Sequence, residues 1–329
     1  MRSARLIGDH RPAVVLVAHG SRDPRAAAST TALARAVQRA HPGWRVRASY
    51  LDHAGPRPLD VLAALPGPRA VLVPLLLTAA YHGRVDLPAV IREAEALPLT
   101  VTATDVLGPA SPLLLAALTR RLAASVTHGL RPAASTAHGL RPAVSTTHDL
   151  RPAADAAAHG LRLDVDGSAA HDCRLFAAGS GDPGCRASAG DLDAVELLSD
   201  LDTVELPGDL DAVVLAAAGT RDAAARQTVA DAAAALGRRL GLPSAVAYAS
   251  GPGARADEAV TRLREAGARR VGVAAYFLAP GLLYDAAMDA ARSAGAVTVA
   301  EPLGDTPELV RLIGSRAESV LNRPLPLAA

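Results

Sequence analysis

Lysine is absent from the sequence, so all 34 basic side chains other than histidine are arginine, and the formal net charge is only +1. Because no dense basic cluster is interleaved with aromatic residues, we do not expect nucleic acid as a partner. One Trp, five Tyr and two Phe are the only aromatic residues in 329 positions. The core of the protein must therefore be built from leucine, valine and alanine.

Cysteine is also scarce, with Cys173 and Cys185 as its only occurrences. Two cysteines are too few for a disulfide framework or a four-ligand zinc site, which fits a reducing, cytoplasmic environment. No apolar run approaches the ~18 residues of a membrane span, and no signal peptide pattern precedes the first apolar run. We therefore expect a cytoplasmic protein that does not bind membranes.

Short valine-rich runs alternate with amphipathic stretches over residues 13–124. This alternation predicts an α/β fold with a parallel sheet, right-handed crossovers and helices on both faces. The predicted strands are 14–18, 45–51, 70–77 and 99–104, and the predicted helices are 24–40, 59–65, 86–97 and 111–124.

A ten-residue repeat then begins near residue 125, with the core His-Gly/Asp-Leu-Arg-Pro-Ala. The unit is too short and too rich in Gly and Pro to bury a face of its own, so we interpret 125–207 as a low-complexity linker. Loose metal binding is a minor alternative for its evenly spaced histidines, which are His128, His138, His148 and His159.

The opening pattern returns after the linker, because Val-Val-Leu-x-Ala-x-Gly-(Ser/Thr)-Arg-Asp recurs at an offset of 199 residues. Two homologous lobes of the flavodoxin-like or Rossmann-like type are therefore predicted, each with a four-stranded parallel sheet, and with a cleft between them. The predicted segments are a tail (1–12), a first lobe (13–124), the linker (125–207), a second lobe (208–321) and a second tail (322–329).

The internal repeat shows which positions one lobe keeps and the other loses. His19, Asp52 and His82 follow three strands of the first lobe, and the matching positions of the second lobe are Ala218, Ser250 and Leu283 or a neighbour. Maintenance of the fold would not require such a difference, so we interpret the three polar residues as a site at the carboxyl edge of the sheet. Two imidazoles and a carboxylate suit Fe, Co, Ni or Zn with open coordination positions.

Three motifs carry a family resemblance: His-Gly-Ser-Arg-Asp-Pro at 19–24, Tyr-Leu-Asp at 50–52, and the segment 74–88 with His82-Gly-Arg-Val-Asp-Leu-Pro. Together they resemble the sirohydrochlorin chelatases of the CbiX and SirB type. The resemblance implies a lyase that inserts a divalent metal, Fe2+ or Co2+ and in a specialised relative Ni2+, into the tetrapyrrole sirohydrochlorin. It implies neither ATP nor an organic cofactor.

Roles follow from the resemblance residue by residue. His19 and His82 would be catalytic, as metal ligands and acceptors of the pyrrole N–H protons. Asp52 stands where the family often has a metal-binding glutamate, so either direct or water-bridged ligation is open. His53 is a possible substitute ligand.

The eight carboxylates of such a substrate suggest arginine partners, and Arg22, Arg25 and Arg84 flank the two histidines. For Arg22 a structural role competes with this interpretation. The second lobe carries Arg221 and Asp222 at the positions of Arg22 and Asp23, which suggests that the two residues form a turn-stabilising pair. Asp86 and its counterpart Asp285 are interpreted as helix N-caps.

Other classes of protein fit less well. A histidine phosphatase is disfavoured because Ala18 replaces the arginine expected before the catalytic histidine, and the first turn lacks the Gly-x-Gly-x-x-Gly of a dinucleotide-binding fold. A non-catalytic metal-binding or metal-delivery protein remains the alternative. The sequence does not choose the metal, and because two fused lobes can close the cleft alone, we expect a monomer.

Overall fold

A computed structural model describes residues 11–78, 86–108, 110–129 and 210–323. We refer to residues 11–129 as the first lobe and to residues 210–323 as the second lobe. All of the described residues belong to one compact unit. The predicted linker lies outside the described residues, except for positions 125–129, which continue the last helix of the first lobe.

Each lobe contains a sheet of four parallel strands, with the order β2-β1-β3-β4 in the first and β6-β5-β7-β8 in the second. The α/β fold class with two homologous lobes is thus confirmed. The strands are β1 (Ala13–Ala18), β2 (Arg45–Tyr50), β3 (Arg69–Leu75), β4 (Thr100–Ala103), β5 (Ala212–Ala217), β6 (Ser244–Tyr248), β7 (Val271–Tyr276) and β8 (Thr298–Val299).

Helices cover both faces of the two sheets. Asp23 and Asp222 start the first helix of their lobes by accepting hydrogen bonds from backbone N–H groups of Arg25 and Ala225, as expected of an N-cap aspartate. The helices are α1 (Pro24–Ala40), α2 (Pro58–Ala63), α3 (Leu87–Ala94), α4 (Pro112–Gly129), α5 (Ala223–Leu240), α6 (Ala256–Glu265), α7 (Leu282–Ser293) and α8 (Pro307–Leu321).

The central strand of each sheet is buried along its whole length. In β1, Val14 and Leu16 contribute to a core that the two lobes share, whereas Val15 and Val17 contribute to a core of the first lobe alone. Strand β5 divides its side chains in the same way. Because successive side chains of a strand point to opposite faces, each sheet turns one face toward the shared core. Helices α1, α4, α5 and α8 contribute to that core and form the layer between the two sheets.

The last helix of each lobe packs against the other lobe. Helix α4 contacts β7 and β8, and α8 contacts α1 and β3. Arg69 of β3 donates hydrogen bonds to the carbonyl oxygens of Val320 and Leu321 and so satisfies the C-terminal end of α8. The two lobes are thereby interlocked through their final helices.

An ion pair between a buried carboxylate and a partly exposed arginine joins α4 and α8. Glu308 is fully buried, and its Oε1 accepts hydrogen bonds from Nε and Nη2 of Arg120, both at 2.7 Å. Within the residues that the structure describes, every helix is too short or too polar to cross a lipid bilayer.

Candidate functional site

The turn after β1 brings His19 against the end of β2. Gly20 has φ +97°, and a Cβ added there would lie 1.7 Å from the carbonyl oxygen of Asp52, so only glycine fits. The backbone N–H of Asp52 donates to the carbonyl oxygen of His19 at 2.8 Å. The predicted meeting of these two strand ends is therefore observed for His19 and Asp52.

The second lobe repeats this backbone arrangement without the histidine and the aspartate. Gly219 has φ +101°, and a Cβ there would lie 1.9 Å from the carbonyl oxygen of Ser250. The residue before it is Ala218 instead of histidine. The close approach is thus a property of the fold, whereas the imidazole and the carboxylate belong to the first lobe only.

His53, the possible substitute ligand named from the sequence, lies beside this pair. Its backbone is in the left-handed region at φ +59°, and its backbone N–H donates to Oδ1 of Asp52 at 2.8 Å. The imidazole Nε2 is 3.4 Å from Oδ2 of Asp52, and the ring lies edge-on to that of His19 with 6.1 Å between the centroids. Two imidazoles and one carboxylate therefore meet at this edge.

The Asp52 carboxylate is exposed to solvent, with 51% of its side chain accessible. The N–H of His53 that donates to it holds the pKa of this carboxyl below its usual range, with smaller electrostatic contributions from the neighbouring His53, Arg57 and His19 side chains. Asp52 is therefore ionised at neutral pH and available to a cation.

His82 and Arg84 lie outside the described residues, so their predicted roles are not tested by this geometry. Among the side chains that the structure does describe, no group of three or more His, Cys, Asp or Glu is arranged to hold a metal ion. His19, Asp52 and His53 are thus neighbours and not a preformed coordination cage.

A cavity of about 140 Å³ opens beside His19. The first lobe lines it with His19, Ser29, Thr30 and Tyr50 among others, and the second lobe contributes Leu278 and Ala279. The cavity therefore lies where the two lobes meet, next to the carboxyl end of β1.

Arg25 stands beside this cavity and connects the lobes. Its Nη2 lies 2.6 Å from Oδ2 of Asp23 and 2.5 Å from Oδ2 of Asp285 in α7. These two carboxylates raise the pKa of the guanidinium, which is charged in any case. Arg25, one of the predicted substrate arginines, is thus held by two carboxylates in this structure.

The predicted structural role of Asp23 is observed, with a different partner from Arg22. Asp23 accepts from the backbone N–H and the guanidinium of Arg25, and its own N–H donates to Oγ of Ser21 at 3.0 Å. Arg25 holds the pKa of the Asp23 carboxyl below its usual range. Arg22 is exposed at the same turn.

The two aspartates interpreted as helix N-caps differ from each other in the structure. Asp86 occupies the N-cap position of α3, but its side chain makes no capping hydrogen bond. For Asp285 the prediction is wrong: Gly281 is the N-cap of α7, and Asp285 lies inside the first turn. Its carboxylate faces Arg25 because opposite charges in the two lobes meet there.

Comparison with known proteins follows the same division into lobes. The CbiX family model matches residues 13–125 and 212–320, which together form more than half of the chain. The chain belongs to the CbiX family. No curated protein matches it.

Three solved structures share the fold of this CbiX-family chain at low sequence identity. SirB from Bacillus subtilis with Fe3+ has a TM-score of 0.58 at 14% identity, covering 95% of this chain and 98% of that one. The sirohydrochlorin chelatase SirB from Bacillus subtilis subspecies spizizenii in complex with cobalt has 0.55 at 15% identity, covering 95% and 96%. CbiX, described as the terminal enzyme for siroheme biosynthesis in denitrifying bacteria, has 0.54 at 16% identity, covering 95% and 100%. The family resemblance predicted from the motifs is thus confirmed.

Proposed function

We propose that this CbiX-family chain is a sirohydrochlorin chelatase that inserts Fe2+ or Co2+ into sirohydrochlorin. The observation that carries the proposal is the difference between two otherwise matching strand ends. Gly20 and Gly219 make the same close approach, yet only the first lobe places an imidazole and an ionised carboxylate beside it. The structurally similar SirB proteins, one with Fe3+ and one a sirohydrochlorin chelatase with cobalt, support the same reaction class.

The chemistry requires groups that attract a cation and accept protons. Metallation of a tetrapyrrole releases two pyrrole protons, and histidine is the side chain whose ordinary pKa, ~6.5, suits proton acceptance near neutral pH. In this proposal His19 and His82 bind the metal and accept the protons. Asp52 contributes the negative charge that draws the cation to this edge of the sheet, either as a ligand or through water.

The size of the cavity beside His19 suggests where the macrocycle binds. At about 140 Å³ it is smaller than the ~300–1,000 Å³ typical of pockets that enclose an organic ligand. The tetrapyrrole would therefore lie in the cleft outside this cavity, with its carboxylates within reach of Arg22, Arg25 and Arg84. Arginine binds carboxylates through two parallel N–H donors, which suits such a substrate.

Two further features belong to the same proposal. The formation of metal–nitrogen bonds provides the driving force, so we propose that insertion proceeds without ATP. We also propose that the protein acts as a monomer, since α4 packs against the second lobe and α8 packs against the first lobe within one chain.

The proposal is tested by following the absorbance change of sirohydrochlorin with Co2+ or Fe2+ under anaerobic conditions. We expect the wild type to accelerate metallation and His19→Ala and His82→Ala each to abolish the acceleration. His41→Ala is the control, because His41 stacks on Trp44 after the C-terminal end of α1, away from the carboxyl edge. The control should retain the wild-type rate.

Another outcome would favour the alternative function. If the wild type binds Co2+ but metallation runs no faster than without protein, the chelatase proposal fails. The chain would then be a metal-binding or metal-delivery protein.

A further inference from the structure

Exposed large apolar side chains are rare in the part of the chain that the structure describes, and two of the three lie in one helical turn. Leu282 is 82% exposed and Leu283 is 45% exposed, whereas the third, Val297, lies elsewhere in the second lobe with 44% exposure. Leu282 and Leu283 are the first two residues of α7. Adjacent exposed leucines form an apolar patch that is suited to a ligand or a partner.

The position of this turn connects it to the candidate site. The chain enters α7 directly from Leu278 and Ala279, which line the cavity beside His19. Leu282 and Asp285 are three residues apart in the same helix, so they lie on one face. Because Asp285 forms an ion pair with Arg25 of the first lobe, Leu282 lies on the face of α7 that is directed toward that lobe.

The chemistry of the turn matches one kind of occupant. A tetrapyrrole has a flat apolar ring surrounded by carboxylates, and the surface around the Arg25–Asp285 pair offers exposed leucines from the second lobe and Arg25 from the first. The second lobe carries Leu283 or a neighbour where the first lobe carries His82, so the imidazole has no counterpart on this side.

We propose that Leu282 and Leu283 form the second-lobe wall of the substrate site and contact the apolar face of the macrocycle. This inference rests on the proposed chelatase function. It gives the second lobe, which lacks the metal-binding residues, a role in holding the substrate while the first lobe performs the metal chemistry.

The test measures binding of sirohydrochlorin to the full chain without metal, by quenching of its fluorescence. We expect the double variant Leu282→Ser/Leu283→Ser to weaken binding about tenfold, because burial of leucine on the ring is lost. Leu282→Met/Leu283→Met should stay close to the wild type. Val297→Ser is the matched control, an exposed apolar residue of the same lobe, and its dissociation constant should change less than about twofold.

The thermal transition should be the same in all of these variants, because the substituted side chains are exposed. If Leu282→Ser/Leu283→Ser binds as well as the wild type, the inference is overturned. Sedimentation of both proteins then shows whether the leucines are instead a contact with a second copy of the chain, which would appear as a loss of dimers in the variant.

Failure of this inference is distinguishable from failure of the chelatase proposal. Wild-type metallation with unchanged binding in the serine variant overturns the inference alone. A wild type that neither binds sirohydrochlorin nor metallates it overturns both.

Discussion

Arg25 and Asp285 are 260 residues apart in the sequence, and their side chains meet with 2.5 Å between Nη2 and Oδ2. Asp23 holds the same guanidinium from the other side, so one positive charge lies between carboxylates of two lobes. This cluster stands at the beginning of α1, next to the cavity beside His19. In a protein that binds a polycarboxylate, Asp285 would compete with the substrate for Arg25.

Replacing Asp285 with asparagine should therefore strengthen substrate binding. Asp285→Asn keeps the size of the side chain and removes the competing charge, and we expect the KM for sirohydrochlorin to fall about threefold at low salt, with the difference decreasing at high salt. The value of kcat should stay unchanged, because Asp285 is not among the residues proposed to bind the metal or accept protons. Steady-state kinetics at two ionic strengths measure both effects.

Asp289→Asn is the control for that experiment. Asp289 lies one turn further along α7 and pairs with Arg292 at 2.8 Å, so its loss changes the net charge by the same amount at a different place. Its KM should equal that of the wild type. An increase in KM for Asp285→Asn would show instead that Asp285 orients Arg25 for the substrate.

The turn at Gly20 should not tolerate a side chain. Gly20→Ala places a Cβ 1.7 Å from the carbonyl oxygen of Asp52 at φ +97°, so we expect the free energy of unfolding to fall by more than about 2 kcal/mol. Gly43→Ala is the control, because no atom lies within 4 Å of its Cβ, and its change should be below about 1 kcal/mol. Urea denaturation measures both.

The matching glycine separates stability from function. Gly219→Ala meets the same obstacle, with 1.9 Å to the carbonyl oxygen of Ser250, and should be similarly destabilising. Its folded fraction should retain metallation, whereas Gly20→Ala should lose it because His19 and Asp52 move apart. Equal activity of the two folded variants would contradict a site confined to the first lobe.

Local patterns predicted most of the fold. The bounds of α1 agree with the sequence prediction, since Asp23 and Pro24 give a clear helix beginning. Helix α4 extends to Gly129, whereas the prediction ended it at 124. The prediction stopped there because Thr127 and Gly129 belong to the first copy of the repeat unit. Tertiary packing of α4 against the second lobe outweighs that weak local propensity.

The candidate site was predicted only where the internal repeat offered a comparison. The contrast between His19 and Ala218, and between Asp52 and Ser250, indicated the pair that the structure brings together. His53 was named from its place next to Asp52, but the orientation that brings its ring near His19 depends on a positive φ, which the sequence pattern does not indicate. The partnership of Arg25 with Asp285 is equally hidden, because it forms only when the lobes pack.

Tyrosine ionisation should limit stability at alkaline pH. Tyr276 is buried at the lobe interface, where its hydroxyl donates to the carbonyl oxygen of Leu77 at 3.1 Å, and burial raises its pKa well above the ordinary value of 10.0. In the unfolded chain this tyrosine ionises near pH 10, so its contribution is present below that pH and is lost as the pH rises further. The chain contains no lysine that would titrate in the same range.

Thermal unfolding between pH 8 and pH 11 tests this assignment. The wild type should lose stability above about pH 10. Tyr276→Phe should be less stable at pH 8 by about 1 kcal/mol, through loss of the hydrogen bond, and should show a smaller alkaline decrease. Burial also raises the pKa of Tyr248 and Tyr284, so part of the decrease should remain. An identical alkaline decrease in Tyr276→Phe would contradict the role of this tyrosine.

The ion pair between α4 and α8 should be costly to break from the arginine side. Glu308 is fully buried, whereas the Arg120 side chain is partly exposed, and Arg120→Ala leaves the carboxylate without the two donors that now hold Oε1. We therefore expect a loss of about 2 kcal/mol in the free energy of unfolding, between the values for an exposed and a fully buried pair. Arg120→Met/Glu308→Met, which removes both charges, should recover most of that loss. Arg292→Ala breaks an exposed pair with Asp289 and should cost less than about 1 kcal/mol. If Arg120→Ala cost no more than Arg292→Ala, the prediction would be wrong. Water would then solvate the Glu308 carboxylate in place of Arg120, and the lobes would be held together by the apolar packing of α4 and α8 alone.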